Sequence, residues 1–424
     1  MSRPEPSQPL GRKIAAERQR RGLSQAQLAG LIGRSVAWVS QVERGARTID
    51  RISVLDLVAR ALDVPLAELA AGTPVAAALT EEPAGAGGLR LVLSGVHSLP
   101  PMVSGGEPAD LASLQAQASL AWNLTHASRY AELTDLLAVL IPGLEEAAQG
   151  AATADRPSVQ EVMATVYQAT SAALAKLGDA EAAWIAADRA IAAAGRTGRP
   201  ELVAAGAYRQ VFVFLASRSL DQAEETARTA ADAIAPLAGR GEAEAVSLVG
   251  GLTLQRGVIA ARRGDADAAY RFLDEARVLA GRLGDGRGGH HTEFGPVNVV
   301  LHEVAIAVEL GDAGRALRTA AGLDTAGLSP ERRARLLLDV ARAHAQRRQP
   351  AEATAALLAA DELTPEQVRS HGLARQLATD LLGWLQPPPA ELRALAARLG
   401  QPEPQSSQDV ASQDAPNEDP PPPP

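Results

Sequence analysis

Residues 22–45 read GLSQAQLAGLIGRSVAWVSQVERG, and this stretch decides the fold of the N-terminal part of the chain. Ser24 stands three residues before Gln27, which is the spacing of a capping box at the start of a helix. The helix is expected to point Leu28 and Leu31 inward, and a short turn follows at Gly33. Ser35 can then cap a second helix, in which Val39 and Val42 lie on one face at helical spacing. The pattern predicts a helix, a tight turn and a second helix.

The flanking sequence predicts three further helices. One is expected from about Leu10 to Arg21, with Gly22 as its C-terminal cap. Another begins at Ser53 and ends before Val64-Pro65, because proline cannot continue it. Proline suits the first turn of a last, short helix through Leu69. We therefore predict one compact all-α unit over residues 10–72, after a disordered segment at residues 1–9.

Composition and charge narrow the class of protein. The chain has 424 residues, 46% of them hydrophobic, and no cysteine, which excludes disulfides and thiolate metal ligands. No apolar run reaches the roughly 18 residues of a membrane span, so we expect a soluble, cytoplasmic protein. The net charge is −9, yet residues 1–52 carry +6 and the remainder −15. A basic head suits contact with phosphate, although a solvated basic helix surface would give the same count.

The helix-turn-helix arrangement places its second helix in the major groove of DNA. The stretch GRKIAAERQRRGLSQAQLAGLIGRSVAWVSQVERGARTIDRISVLDLVARALDVPLAELA, within residues 11–70, resembles the phage-repressor-like (XRE) family of transcriptional regulators. The shared features are GLSQ followed by LA, a Ser-capped second helix, and ERG, all in register. This resemblance implies a sequence-specific DNA-binding protein with a five-helix repressor-type head.

The resemblance also assigns roles to individual side chains. Gln41 can form paired hydrogen bonds to adenine, and small apolar side chains can contact a thymine methyl group. The expected base contacts are Val36, Ala37, Ser40 and Gln41. The expected phosphate contacts are Gln25, Trp38, Arg44 and Arg47, although Trp38 could instead be a core residue and the arginines could be solvated. Arg18 and Glu43 are expected to pair inside the head and join its first helix to the end of its third.

A second pattern fills residues 109–400, where a helix ends in a tight turn and an alanine-rich helix follows. The turns read KLGDAEAA (176–183), SRSLDQAE (217–224), RRGDADAA (262–269), ELGDAGRA (309–316) and QRRQPAEA (346–353). The layout resembles the tetratricopeptide helix-turn-helix repeat, although the spacing between turns is longer and irregular. An earlier unit is expected at Leu111–Gln149. Stacked helix pairs form a solenoid with a concave inner surface.

The remaining segments lack this periodicity. Proline and glycine crowd residues 73–108, which predicts a linker. Within it, LRLVLSG (89–95) could form a short strand or a turn of helix. Residues 401–424 are acidic and proline-rich, and we expect a disordered tail there.

A solenoid implies binding rather than catalysis, and we find no pattern of an enzyme, a cofactor site or a metal site. The stretch around TEFGPVNV resembles a segment of actinobacterial regulators with this two-part layout, which makes Thr292, Phe294 and Asn298 candidate ligand contacts, with packing as the alternative. The expected partners are an operator in double-stranded DNA, a second copy of the chain, and a peptide, small-molecule or protein ligand. The alternative is a protein-interaction adaptor whose head has lost specific DNA binding.

Overall fold

The computed structural model describes residues 10–45, 49, 52–65, 68–69, 86–94, 110–283 and 289–399. Within these ranges the chain forms twenty α-helices and no β-strand, which confirms the all-α fold class. The predicted disordered segments at residues 1–9 and 401–424 lie outside the described residues, as does most of the predicted linker. No described helix is both long enough and apolar enough to cross a bilayer.

The head contains the predicted helices α1 (Leu10–Arg20), α2 (Gln25–Leu31), α3 (Val36–Glu43) and α4 (Ile52–Ala61). The capping box is present, since the backbone N–H of Gln27 donates to Ser24 Oγ at 3.1 Å and that of Ser24 to Gln27 Oε1 at 2.8 Å. Of the predicted fifth helix, Glu68 and Leu69 are described and are helical. Pro65 is also described, whereas residues 66–67 lie outside the described residues.

One expectation about the core of the head is wrong. The spacing of α2 suggested that both Leu28 and Leu31 point inward, but Leu31 is 61% exposed. Ile32, just after the helix, takes the inward position instead. The helix ends at Leu31, so the backbone turns before Ile32 and the helical period no longer tells which side chain faces the core.

The predicted linker contains a helix, α5 (Ala86–Val92). Its apolar face is buried against the repeats, with Ala86 and Leu89 fully covered. Arg90 on its other side pairs with Asp179. The choice between strand and helix for this segment is therefore settled as helix, and α5 extends the first repeat.

Over residues 110–283 and 289–399, the repeat body forms fifteen helices that pack largely on their neighbours in sequence. They are α6 (Leu111–His126), α7 (Tyr130–Gly150), α8 (Arg156–Leu177), α9 (Ala180–Gly195), α10 (Pro200–Ala216), α11 (Leu220–Gly239), α12 (Ala243–Arg263), α13 (Ala266–Leu283), α14 (Pro296–Leu310), α15 (Ala313–Ala321), α16 (Pro330–Gln346), α17 (Pro350–Leu363), α18 (Pro365–Ser370), α19 (Gly372–Trp384) and α20 (Ala390–Arg398).

All five predicted turns fall between helices. The first helix of each pair ends on a left-handed residue, which is glycine at Gly178, Gly264 and Gly311 with φ of 83–88°. Where the sequence has no glycine, Arg218 and Arg348 take the same conformation at φ of 60° and 59°. An arginine there is strained relative to glycine, so the turn is set by the packing of its two helices.

The two ends of the repeat body meet. Ser128, after α6, donates to the side-chain oxygen of Gln367 in α18 at 2.9 Å. The backbone N–H of Ala131 donates to Glu366 at 3.0 Å. The sequence predicted a solenoid with a concave inner surface, and in the structure the first helix pair also contacts α18. The inner helices therefore surround a cavity.

Candidate nucleic-acid interface and central cavity

The face of α3 is split between core and solvent. Val39 and Val42 are almost fully buried in the head. On the opposite side, Val36 is 47% exposed, and Ala37 and Gln41 are exposed as well. Ser40 lies at the edge of this surface and is half-buried. The four side chains expected to reach bases thus share one accessible face, which we call the α3 face.

An ion pair holds the end of α3 against α1. Arg18 Nε lies 2.5 Å from Glu43 Oε1 and Nη2 lies 2.9 Å from Oε2, so the contact is bidentate. Arg18 Nη1 also donates to the carbonyl of Leu23 at 2.7 Å, which ties in the start of the α2 segment. Burial alone would raise the pKa of the Glu43 carboxylate, but the hydrogen bonds from Arg18 and Gln25 outweigh it and keep the pKa below its usual value.

The same junction requires a residue without a side chain in α1. A Cβ placed on Gly11 would stand 2.2 Å from the carbonyl oxygen of Val42. Gly11 therefore allows the backbone of α1 to approach the last turn of α3. The close approach and the ion pair together fix the direction in which the α3 face points.

The expected phosphate contacts occupy different positions around α3. Gln25 is half-buried, and its Nε2 donates to Glu43 Oε2 at 2.8 Å, a bond that the sequence analysis missed. Trp38 is half-buried against the core of the head, with the guanidinium of Arg34 5.9 Å from its ring centroid. Arg44 is exposed and donates to the carbonyl of Ser40. Arg47 lies outside the described residues.

The central cavity has a volume of about 820 Å³ and is bordered by the inner helices of the repeats. Its wall also includes the α13–α14 loop at His291 and, from the head, Leu57 and Arg60 of α4. Charged groups on this wall form a network. Arg332 contacts Glu293 at 3.0 Å, and Lys176 contacts Glu331 at 3.2 Å.

Burial has opposite effects on the two kinds of titratable group in this wall. It lowers the pKa of three histidines, to about 3 for His291 and His371 and to about 4 for His302, so their neutral forms prevail at pH 7. Burial would raise the pKa of Glu293, but the nearby imidazole of His126 and the guanidinium of Arg332, which donates to this carboxylate, outweigh it and hold the pKa well below its usual range.

His126, Glu293 and Glu331 each place a possible metal-ligand atom within 4.8 Å of the other two. The surroundings do not fit a divalent cation. Arg332 lies within ion-pair distance of both carboxylates, and Lys176 contacts Glu331. These fixed positive charges already neutralise the acidic groups and would repel a metal ion. We therefore assign no metal to this cluster.

The three candidate ligand contacts from the sequence lie behind the cavity wall. Thr292, Phe294 and Asn298 are buried, and none of them borders the cavity. Thr292 Oγ1 bonds with Ser247 Oγ at 2.6 Å, and Asn298 Oδ1 accepts from Arg332 at 3.2 Å. Their geometry favours packing: they anchor the α13–α14 loop, while its neighbouring residues His291 and Glu293 reach the cavity.

Sequence reasoning missed the cationic residues of the cavity. Arg209 is one example, since it is buried although it lies within the apolar run AAGAYRQVFVFLA (204–216). A charged residue inside an apolar helical run is a detectable signal. Its hydrogen-bond partners, however, are backbone carbonyls of the α13–α14 loop, more than 80 residues away in sequence, and nothing in the sequence identified them.

Comparisons with known proteins bear on the head. Residues 9–72 match a family described as a helix-turn-helix domain, so this part of the chain is a helix-turn-helix domain, as the sequence predicted. No curated protein matches the chain significantly. One solved structure with similarity is that of Bacillus thuringiensis PlcR in complex with the peptide PapR7 and DNA. It is 15% identical, with 66% of this chain and 100% of that chain covered and a TM-score of 0.25.

Proposed function

We propose that the chain is a sequence-specific transcriptional regulator that places α3 in the major groove of its operator. The observation that carries the proposal is the exposure of the α3 face. This face belongs to a domain that matches the helix-turn-helix family, and the opposite side of the same helix is buried in the core. Arg18, Glu43 and Gln25 hold the helix rigidly, as direct readout requires. No catalytic step is assigned to the chain.

Readout on this face combines one amide with small side chains. Gln41 can bind the N6 and N7 positions of adenine, and Val36 or Ala37 can meet a thymine methyl group. Ser40 can bond to either kind of base edge. Since one amide supplies most of the hydrogen bonds, sequence-dependent DNA shape contributes the remaining selectivity.

Phosphate contacts would position the head on the duplex. Arg44 is exposed beside the α3 face, and Trp38 can donate its indole N–H from the flank of the helix. Gln25 can reach a phosphate through its backbone N–H at the start of α2, because its side-chain amide is engaged with Glu43. Arg47 is proposed from the sequence alone.

We further propose that the repeat body acts as the sensor and as the dimer contact. Two copies would present two α3 helices to half-sites about one turn of DNA apart. A ligand in the central cavity would contact the head directly, because Leu57 and Arg60 of α4 border that cavity. Light scattering of the full chain tests the dimer, and a monomeric mass at DNA-binding concentrations would refute it.

A DNA-selection experiment tests the proposal. Full-length protein is used to enrich duplexes from a random library, and binding is then measured by fluorescence anisotropy over a salt series. We expect affinity to fall steeply with salt and Gln41→Ala to weaken binding about 5- to 150-fold, equivalent to about 1–3 kcal/mol. Gln19→Ala, an exposed glutamine on α1, is the matched control and should bind like wild type.

The opposite result would favour the adaptor function. Enrichment of no particular sequence, or equal binding by wild type and Gln41→Ala, would show that the α3 face does not read bases. A stable protein partner for the repeats would then be the better explanation of the molecule.

A further inference from the structure

Charge is unevenly distributed around the central cavity. Among the residues that the structure describes, nine lysine and arginine side chains border it, against five aspartates and glutamates. This excess of cations stands out in a chain whose net charge is −9. Of the four histidines in the wall, His291, His302 and His371 have pKa values lowered by burial, so they do not add positive charge at pH 7.

Every described carboxylate of the cavity wall already has a cationic partner within the wall. Glu293 contacts Arg332, Glu331 contacts Lys176, Glu309 and Asp339 contact Arg342, and Asp221 contacts Arg263. The acidic groups are thus neutralised internally. Any cation left without a carboxylate is available to a ligand.

Arg209 on α10 is such a cation. It is only 7% exposed, and among the described residues no carboxylate lies within ion-pair distance of it. Its Nη2 donates to the backbone carbonyls of His290 and His291, while Nε has no hydrogen-bond partner in the described ranges. Burial lowers its pKa to about 10, so the guanidinium keeps its charge at pH 7. A buried charge in this state is unfavourable unless an anion joins it.

The ring of Trp122 supports Arg209 in this position. The guanidinium lies 4.7 Å from the centroid of Trp122, and His291 stacks on Trp122 at 4.2 Å. Tyr208 lies 4.9 Å away on another side. The arginine is therefore held in place by aromatic groups that cannot neutralise it.

Arg262 on α12 repeats the arrangement on the neighbouring inner helix. It is half-buried, and its Nη1 donates to the backbone carbonyl of Leu215 at 3.0 Å. Its neighbours Arg335 and Arg342 are engaged with Asp339. No carboxylate of the described chain lies within ion-pair distance of Arg262.

We propose that the central cavity binds a small organic anion, carrying carboxylate or phosphate groups, through Arg209 and Arg262. This inference rests on the sensor role proposed above and names the chemical class of its ligand. A volume of about 820 Å³ lies in the range of small-molecule sites, and guanidinium groups bind carboxylate and phosphate in the same bidentate manner.

Titration calorimetry on the full-length protein without DNA tests the proposal. The probes are inorganic phosphate, citrate and succinate at constant ionic strength, with uncharged succinamide as the neutral comparison. We expect at least one anion to bind and succinamide not to bind, and the preference between phosphate and the carboxylates identifies the anionic group. Arg209→Gln and Arg262→Gln should each weaken binding at least tenfold, the effect of losing one charge-assisted hydrogen bond.

Control variants separate a ligand role from a structural one. Arg282→Gln removes an exposed arginine of α13 outside the cavity and should bind like wild type. Arg209→Lys keeps the charge and should retain more affinity than Arg209→Gln, while circular dichroism checks that each variant is folded. The proposal is overturned if no anion binds, if succinamide binds equally, or if both Gln variants of the cavity keep wild-type affinity.

The outcome is independent of the DNA experiment. Selective DNA binding without anion binding would remove only the ligand assignment. Anion binding without selective DNA binding would support the cavity site and refute the proposed function as a transcriptional regulator.

Discussion

Within the described part of the head, the buried charges are Arg18 and Glu43, and each is the partner of the other. The inner wall of the repeats, by contrast, holds Arg209 and Arg262, which have no carboxylate within ion-pair distance in the described part of the chain. The head neutralises its interior and presents its functional surface outward on α3. The repeat body leaves charge unmatched around an internal space. The contrast fits two different roles: the head binds DNA through its outer surface, and the repeat body binds a ligand in its internal cavity.

The largest effect should come from breaking the matched pair of the head. Glu43→Ala strands the buried Arg18 and also removes the acceptor of Gln25, so we expect a loss of about 3–5 kcal/mol in local stability. Amide hydrogen exchange in α1 and α3 of the full-length protein measures it. Glu17→Ala, which removes the surface pair with Arg20, is the control and should cost less than about 1 kcal/mol. Equal losses in the two variants would contradict the role of the buried pair.

An intermediate effect should come from overfilling the wall behind the cavity. A Cβ on Gly250 would stand 2.0 Å from the ring of Phe294, which anchors the α13–α14 loop. Gly250→Ala should therefore destabilise the repeat body by about 1–3 kcal/mol, measured by urea denaturation.

Gly281→Ala is the matched control for that variant, since nothing lies within 4 Å of its Cβ position in α13. Alanine favours helix over glycine by up to about 1 kcal/mol, so this variant should be slightly more stable. A neutral or stabilising Gly250→Ala would show that Phe294 moves easily and that the loop is not fixed by packing.

The smallest effect is pH dependence, and it should be confined to the repeats. Burial lowers the pKa of His291, His302 and His371 in the folded state, so the unfolded chain binds more protons as pH falls through 6.5. Stability is therefore present above pH 6.5 and is lost on acidification, by about 1 kcal/mol for each histidine between pH 7 and 5.5.

Hydrogen exchange at the two pH values, corrected for intrinsic rates, measures this loss in each region separately. The seven histidines of the chain all lie after residue 96, so protection in α1–α4 should stay constant. His302→Gln should reduce the pH dependence of the repeats. A similar loss of protection in the head would contradict the contrast between the two regions.

The sequence predicted the head better than the cavity for a physical reason. The helices of the head, its capping box and the positions of Arg18 and Glu43 follow from spacings of a few residues or from a compact motif. The position of Leu31 was predicted wrongly, because α2 ends at this residue. The prediction for Gln25 was incomplete, because it did not include the tertiary hydrogen bond to Glu43.

In the repeats, the turns could be predicted locally, because Gly178 and its equivalents mark helix ends. The closure between Ser128 and Gln367 joins residues 239 positions apart, and the network of the cavity has the same long-range origin. A single sequence contains no local pattern that identifies contacts between residues so far apart.

The most direct test of the central claim is genome-wide mapping of bound DNA for wild type, Gln41→Ala and Gln19→Ala, expressed at equal levels. If the α3 face reads bases, wild type and Gln19→Ala will occupy the same discrete sites with one shared sequence pattern, and Gln41→Ala will lose them or shift to another pattern. Identical site maps for all three proteins, or no discrete sites for any of them, would contradict the account.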